Sequence, residues 1–434
     1  MPPTETYRLA IPYDRAKGPL PPSNASDRQF TLYNNVYITY GLSFQLAVAK
    51  HVQDTLQASR AYVLVSKTLA QNTNALKDLE GALGDKIVGV KSGLKAHTSW
   101  GDVLSMKREC EELKADVIIT LGGGSLTDAA KLLSLVLAND VHTSTDFYTK
   151  LDMIKPQAPP ERFTAHPPRV PVICVPTTLS AGEYTFGAGA TEDETEKKYQ
   201  FLTGQAVRLL VLDAELVTRT TPSRLWIASG FRAIDHCVEG FVSPLNNTVT
   251  EDHAVAGLRL LIPGLIRCRQ DVEGTDVEAR HLGQMGALEA IAALCRVYTP
   301  AGGSHAIGHM LGPFGVSHGE TSAILLPAVC DYNAKHNANI EQQRKLASVL
   351  WDIEEFRDSV AEKHGLKEDA ELGSLLRALT RELGLPTTLK EVGVEGPRVQ
   401  KLAEYSLLDP WARTNPVPLK SQEQVLEVLQ PVIG

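Results

Sequence analysis

Four histidines and one arginine carry the first chemical signal in this chain. In SGFRAIDHCVEG (229–240), Arg232 and His236 stand four residues apart, so on a helix they share one face. In SHAIGHMLG (304–312), His305 and His309 repeat that spacing, and His318 opens the stretch HGETSAILLPAVCDYN soon after. Neutral imidazoles bind zinc-like ions, and titrating ones move protons near neutral pH. A guanidinium offers no lone pair and is always charged, so it pairs with carboxylates or polarises a developing alkoxide instead. Both routes activate a carbonyl. Which one operates depends on whether His236 is a metal ligand or the neighbour of a fixed cation at Arg232.

A second signal is ADVIITLGGGSLTDAAK (115–131). An apolar run leads directly into Gly122, Gly123, Gly124 and Ser125, and a helix is expected to begin near Leu126. Backbone N–H groups and the helix dipole then converge on one anion-sized space, and adjacent glycines allow a pyrophosphate to approach the backbone. The spacing is neither the GxGxxG fingerprint nor a P-loop. Thr177 and Thr178 follow another apolar run, VPVICVP (170–176). That is the end of a parallel strand where ligands gather, although a helix cap or turn explains Thr177 equally well from local sequence.

The elements that must position these residues come in two textures. From about 35 to 215, short apolar runs alternate with helical patterns: YITY at 37–40, AYVLV at 61–65, KIVGV at 86–90, ADVIIT at 115–120, VPVICVP and RLLVLD at 208–213. Such alternation predicts a parallel sheet covered on both faces. Beyond Pro222 only helical patterns remain, over 222–242, 250–271, 276–297, 303–311, 321–335, 341–353, 371–384 and 420–430. The expectation is an α/β dinucleotide-binding domain over 1–215, with 1–30 as a flexible arm, and an all-helical catalytic domain over 216–434. The Pro-rich segment 150–170 reads as an exposed connection, and TEDETEKK (191–198) as a solvated hairpin or loop.

Composition excludes several classes. A chain of 434 residues with 43% hydrophobic and 22% charged residues has a folded, soluble protein's balance and the length for two domains. Its net charge of −8 supplies no footprint for nucleic acid or an anionic membrane. The six scattered cysteines form no CxxC pair, so neither a disulfide framework nor a zinc knuckle is indicated. No run reaches the length of a membrane span, and the N-terminal residues lack a signal-peptide core. A cytoplasmic protein acting on a small molecule, with no nucleic-acid or membrane partner, is expected.

The segment GGGSLTDAAK resembles the GGGSxxDxxK signature of the iron-containing (group III) alcohol dehydrogenase family, with Asp128 and Lys131 in the matching places. The resemblance extends over most of the chain: Tyr40-Gly41 before a helix, VPTT at 175–178, VLDAEL at 211–216, the GFRAIDHCVEG segment, SHAIGHMLG and SHGET follow in the family's order. The GxRAxDHxxE and HGET forms look most like the maleylacetate reductase branch and its fungal-type relatives. This implies the dehydroquinate synthase-like fold, a nicotinamide dinucleotide held by Gly122, Gly123, Gly124 and Ser125, Asp128 near the nicotinamide end, and hydroxyls from Thr177 and Thr178. Where NAD-preferring members resemble VTD at the end of the first βα unit, this chain has Ser66 followed by Lys67. Loss of a carboxylate there removes a repulsion toward a 2′-phosphate, which puts NADP(H) ahead of NAD(H).

The family's metal-dependent members hold iron or zinc with one Asp and three His, which map here to Arg232, His236, His305 and His318. Arg232 departs from that set. At a separation of about 4 Å and an effective dielectric of about 20, a guanidinium repels a divalent cation by several kcal/mol. Asp235 lies about a hundred degrees round the helix from His236 and is expected to orient a neighbour or cap a packing contact. The interval from His305 to His318 is also one residue shorter than in metal-binding members. The resemblance therefore implies reduction of a ketone or aldehyde of a small carboxylic acid without a metal, in the cleft between the domains of a homo-oligomer, most simply a dimer. Arg232 replaces the cation, and His236, His305, His309 and His318 supply the proton donor and substrate hydrogen bonds. The competing expectations are an iron- or zinc-dependent alcohol dehydrogenase built on His236, His305 and His318, and a redox-neutral lyase of the same fold. Glu239 and Glu320 are candidates for orienting histidines. His253, His281, Trp226, Trp351 and Trp411 read as packing or surface residues, and Tyr184 and Phe186 are left without a role.

Overall fold

The computed structural model describes residues 4–10, 36–94, 98–153, 165–296 and 299–434. Among the described residues nine strands are present: β1 (Glu5–Leu9), β2 (Tyr37–Tyr40), β3 (Ala61–Val65), β4 (Ile87–Ser92), β5 (Val117–Gly122), β6 (Val172–Pro176), β7 (Gly187–Thr191), β8 (Lys198–Leu202) and β9 (Val207–Leu212). Seven of them form one sheet in the order β1-β2-β9-β6-β5-β3-β4, and β7 and β8 form a separate two-stranded ladder. All neighbours in the large sheet run parallel except β1, which is antiparallel to β2. The strands read as unbroken apolar runs because both faces are covered: every residue of β3, β5 and β6 is buried. Val63, Val65, Ile119, Ile173 and Val211 share one core face with the Phe44–Lys50 helix. Each such buried aliphatic side chain contributes roughly 1.5–3 kcal/mol over its exposed state.

The fold is the parallel-sheet and helical architecture expected, with corrections in detail. Residues 5–9 of the supposed flexible arm are an edge strand, anchored where Tyr7 N–H donates to Thr39 Oγ1 at 3.0 Å; residues 1–3 and 11–35 lie outside the described residues. Alternation is too short over ETYRL for a two-residue period to show. The charged stretch at 191–198 is the tip of the β7–β8 hairpin. Part of the Pro-rich connection, 154–164, also lies outside the described residues.

By its internal contacts the chain divides into two compact units, Met1–Thr221 and Pro222–Gly434. The second unit is helical throughout. At its centre runs Ser223–Val242, buried continuously from Trp226 onward, which packs against Thr248–Gln270, Val277–Cys295 and His318–Lys335. The last of these starts three residues earlier than the apolar pattern suggests, because the Ser317 hydroxyl caps it by accepting from Glu320 N–H. His318 is thereby its first residue. Among the described residues no helix is long and apolar enough to cross a membrane. All six cysteines are free, and all but Cys295 are buried; burial pushes the Cys110 and Cys174 thiols up to about 12.

The central helix and the His318–Lys335 helix touch backbone to backbone at Gly319. A Cβ there would lie 2.0 Å from the Ala228 carbonyl oxygen, a contact no small shift relieves. Gly319→Ala is therefore expected to lower stability by about 1–3 kcal/mol, read as a drop in the urea-unfolding midpoint. An unchanged midpoint would show that the two helices are free to separate.

Candidate functional site

The glycine loop in the first unit is built by close packing. Gly122 ends β5 with φ of 151°, and a Cβ on it would meet Leu126 Cδ1 at 2.6 Å and Ser66 Cβ at 3.2 Å. Cβ atoms on Gly123 and Gly124 would press on Thr178 and Ser180 at 3.2–3.3 Å. Only glycines let the loop lie against those hydroxyl-bearing turns. The helix that follows, Gly124–Ala138, begins two residues sooner than expected, with Gly123 as its N-cap. Ser125 on its first turn is exposed, so the positive end of a long helix dipole opens outward where an anion could sit.

The neighbouring expectations fall into place unevenly. Thr178 Oγ1 and Ser180 Oγ are 2.9 Å apart beside the glycines. Thr177 is buried; its N–H donates to Gly122 O at 3.1 Å and its carbonyl accepts from Thr221 Oγ1 at 3.0 Å, so its backbone fastens β6 to the loop. Ser66 Oγ turns back to accept from Leu69 N–H at 3.3 Å, capping the Lys67–Asn72 helix, and Lys67 is exposed. Asp128 accepts from Gly189 N–H at 3.1 Å and lies 3.7 Å from Lys131 Nζ.

Lys131, which the signature contains but to which no task was assigned, is fully buried. Its ammonium donates to the carbonyls of Gly182 at 2.7 Å, Thr185 at 3.2 Å and Gly187. The turn beside it carries Glu183 and Tyr184, both buried. Burial pushes the Glu183 carboxyl up to about 7, against the opposing pull of its own backbone amide and the Lys131 charge.

In the second unit, a charged cluster forms around Asp235. This fully buried carboxylate accepts through Oδ2 from Ser322 Oγ at 2.5 Å, Ser304 Oγ at 2.8 Å and Arg232 Nη1 at 3.4 Å. Burial raises its pKa, but His305 and Arg232 outweigh that and hold it at about 2. Arg232 is itself buried, with Nη1 donating to Ser322 Oγ at 3.0 Å and Nη2 lying 3.4 Å from His309 Nε2. Its Nε makes no hydrogen bond within the cluster among the described residues. One turn on, Glu239 accepts the N–H groups of Gly302 at 2.8 Å and Ser304 at 2.7 Å. A buried carboxylate on one helix thus caps the N-terminus of another, Gly303–Leu311. Glu239 also lies 2.7 Å from His305 Nδ1. Burial and Arg232 lower the His305 pKa, yet Asp235 and Glu239 raise it above the usual histidine value.

The imidazoles lie in a row. Ring centroids of His236 and His305 are 5.0 Å apart, of His305 and His309 6.3 Å, and of His309 and His318 6.1 Å. Arg232, His236, His305 and His309 are thus brought together, whereas His318 is exposed, with its ring 6.1 Å from that of His309. The expected trio His236, His305 and His318 does not converge as ligands. The one metal-competent grouping among the described residues is Asp235, Glu239 and His305, with donor atoms within 4.8 Å of one another. Asp235 Oδ2 and both Glu239 oxygens are engaged by serine hydroxyls, backbone amides and the His305 imidazole, whereas Asp235 Oδ1 and His305 Nε2 make no hydrogen bond among the described residues.

Several participants escaped the sequence reading. Asp409 lies 2.8 Å from His309 Nδ1, and the Trp411 ring lies 5.5 Å from that of His305 and 5.2 Å from that of His309. Trp411 packs against the hydrophobic core of the second unit, as a packing residue is expected to, and also borders this cluster. About a hundred residues separate it from the histidines, and no local pattern marks it. Asp235 and Glu239 did leave a signal: two carboxylates four apart on a helix buried from Trp226 onward must find partners. Glu320, by contrast, orients no histidine; it pairs with Arg224 Nη2 at 2.8 Å and accepts from Ser317 Oγ at 2.8 Å. His253 lies 2.6 Å from Glu289.

Residues 42–214 match the family profile described as iron-containing alcohol dehydrogenase, and residues 226–433 that of the Fe-containing alcohol dehydrogenase family, C-terminal. The dehydrogenase FUM7 of Gibberella moniliformis is 36% identical over 411 residues, covering 91% of this chain and 95% of that protein. Maleylacetate reductase 1 of Cupriavidus pinatubonensis is 27% identical over 399 residues, covering 91% and 94%. The crystal structure of maleylacetate reductase from Rhizobium sp. strain MTP-10005 superposes with a TM-score of 0.69 at 24% identity, covering 91% of this chain and 95% of that one. It shares the fold.

The Glu183 shift has a readable consequence. A carboxyl whose pKa rises from 4.5 to about 7 on folding stabilises the fold fully below pH 4.5 and loses that contribution as pH climbs toward about 7. Thermal stability should decline across that window, and Glu183→Gln should flatten the decline. Parallel melting profiles for the two proteins would contradict this.

Proposed function

This chain belongs to the iron-containing alcohol dehydrogenase family, whose members oxidise alcohols or reduce carbonyls with a nicotinamide dinucleotide. On that premise we propose that it is an NAD(P)H-dependent reductase of the ketone or aldehyde group of a small carboxylic acid, similar to maleylacetate reductase, and that Arg232 does the work of a metal. The observation that carries this reading is the buried Arg232 guanidinium, pinned between Ser322, Asp235 and His309.

The glycine loop fits a dinucleotide, since its three glycines occupy places where any Cβ would be crowded and leave amides at a helix N-terminus. Bound there, the dinucleotide supplies the hydride. Gly122, Gly123, Gly124 and Ser125 hold its pyrophosphate, with Thr178 and Asp128 alongside. With Ser66 occupied as a cap and no carboxylate beside it, Lys67 favours the phosphorylated cofactor.

The donor set does not suit a divalent ion. Position 232 offers a positive charge in place of an oxygen ligand, and that charge lies 3.4 Å from the Asp235 carboxylate, where it would repel any divalent ion the carboxylate held. No step here runs through a metal. Arg232 polarises the carbonyl oxygen or takes the acid group along its unengaged Nε edge. His305 gives the proton: its Nδ1 is fixed by Glu239, and its buried Nε2 makes no hydrogen bond among the described residues. His309, oriented by Asp409, keeps the guanidinium in place.

Two measurements test this. Arg232→Ala should lower kcat by about 100-fold or more while the dissociation constant for NADPH stays nearly constant. Elemental analysis of the purified protein should find no stoichiometric iron or zinc, and chelators should leave turnover intact. A bound metal with chelator-sensitive activity would establish the metal-dependent alternative instead.

A further inference from the structure

Trp411 stands against the two central imidazoles on a short turn, Pro410–Arg413, that is fixed from several sides. Asp409 Oδ1 accepts the Trp411 backbone N–H at 2.9 Å while its other oxygen lies 2.8 Å from His309 Nδ1, so one carboxylate fixes both the turn that carries Trp411 and the His309 ring. Thr414 Oγ1 lies 2.6 Å from Ala301 O and 3.1 Å from Trp411 O, and Leu419 N–H donates to Ala412 O at 2.8 Å. With the backbone pinned on both sides, the indole has only its two side-chain torsions left. It lies at 36° to the His309 ring and 76° to the His305 ring, and it remains half-buried. Its neighbour Leu408 is 70% exposed.

A cluster of buried charges needs only small polar groups around it to be satisfied, and the hydroxyls and amides of Ser304, Ser322 and Gly302 provide these. A large, rigid, half-exposed aromatic adds something those groups do not: a flat apolar face beside the reacting centre. Building on the reductase reading above, we propose that Trp411 is a specificity-determining residue that takes an aromatic group attached to the substrate carbonyl. The preferred substrate class is then an aryl keto acid, not a two- or three-carbon acid.

Phenylglyoxylate and pyruvate share the same keto-carboxylate head, so contributions through Arg232 largely cancel in their ratio. The ratio of kcat/KM for phenylglyoxylate over pyruvate should exceed one in the unsubstituted enzyme. It should fall by about tenfold in Trp411→Leu, which keeps bulk without an aromatic face, and stay within about threefold in Trp411→Phe. A ratio at or below one in the unsubstituted enzyme, or the same ratio in the leucine variant, overturns the assignment while leaving the reductase reading standing. If neither keto acid nor a panel of aldehydes oxidises NADPH or NADH, the reductase reading itself fails and the assignment falls with it.

Discussion

Asp235 sets the terms for the helical unit of this protein. A carboxylate without solvent exposure is too costly to leave uncompensated, and here the compensation comes from three separate helices. Ser304 reaches it from Gly303–Leu311, Ser322 from His318–Lys335, and Arg232 from its own helix one turn earlier. Satisfying one buried charge therefore fixes the mutual register of the helices that carry His236, His305 and His309. The close approach at Gly319 keeps the third of these helices near enough to take part.

The same constraint explains how an arginine is accommodated inside this helix, at a position where the sequence resemblance implies an acid. A guanidinium four residues before His236 would be isolated in an apolar interior if Asp235 were absent. With it, the pair stays within the protein and Arg232 retains donors on its far edge. Glu239 repeats the pattern one turn later, balanced by the amides of a helix start and by His305. The Arg232 guanidinium and the His305 imidazole, whose pKa is raised, thus each face a buried carboxylate.

Much of this architecture could be read from the chain before folding. The strands announced themselves because a sheet covered on both faces needs continuous apolar runs, and the glycine triplet did so because three residues without Cβ after a strand have few other uses. The Arg232–His236 and His305–His309 pairs were legible through helical spacing. What could not be read has a common cause. Asp235 was discounted for pointing away from His236, but the central helix is buried on every side, so each of its faces meets a partner. Asp409 and Trp411 reach the histidines by tertiary packing alone. That the Ser66 hydroxyl also caps a helix start emerges only from the local backbone geometry.

The burial of the thiols has a practical consequence. Five of the six cysteines are out of solvent, and those whose acidity shifts are pushed toward the unreactive protonated form. Alkylating reagents and air therefore find almost nothing to attack in the folded protein apart from the half-buried Cys295. That near-silent background suits spectroscopic labelling: a single cysteine placed at an exposed position such as Leu245 or Val272 would carry a fluorophore or spin label with little need to strip out the native sulfurs first.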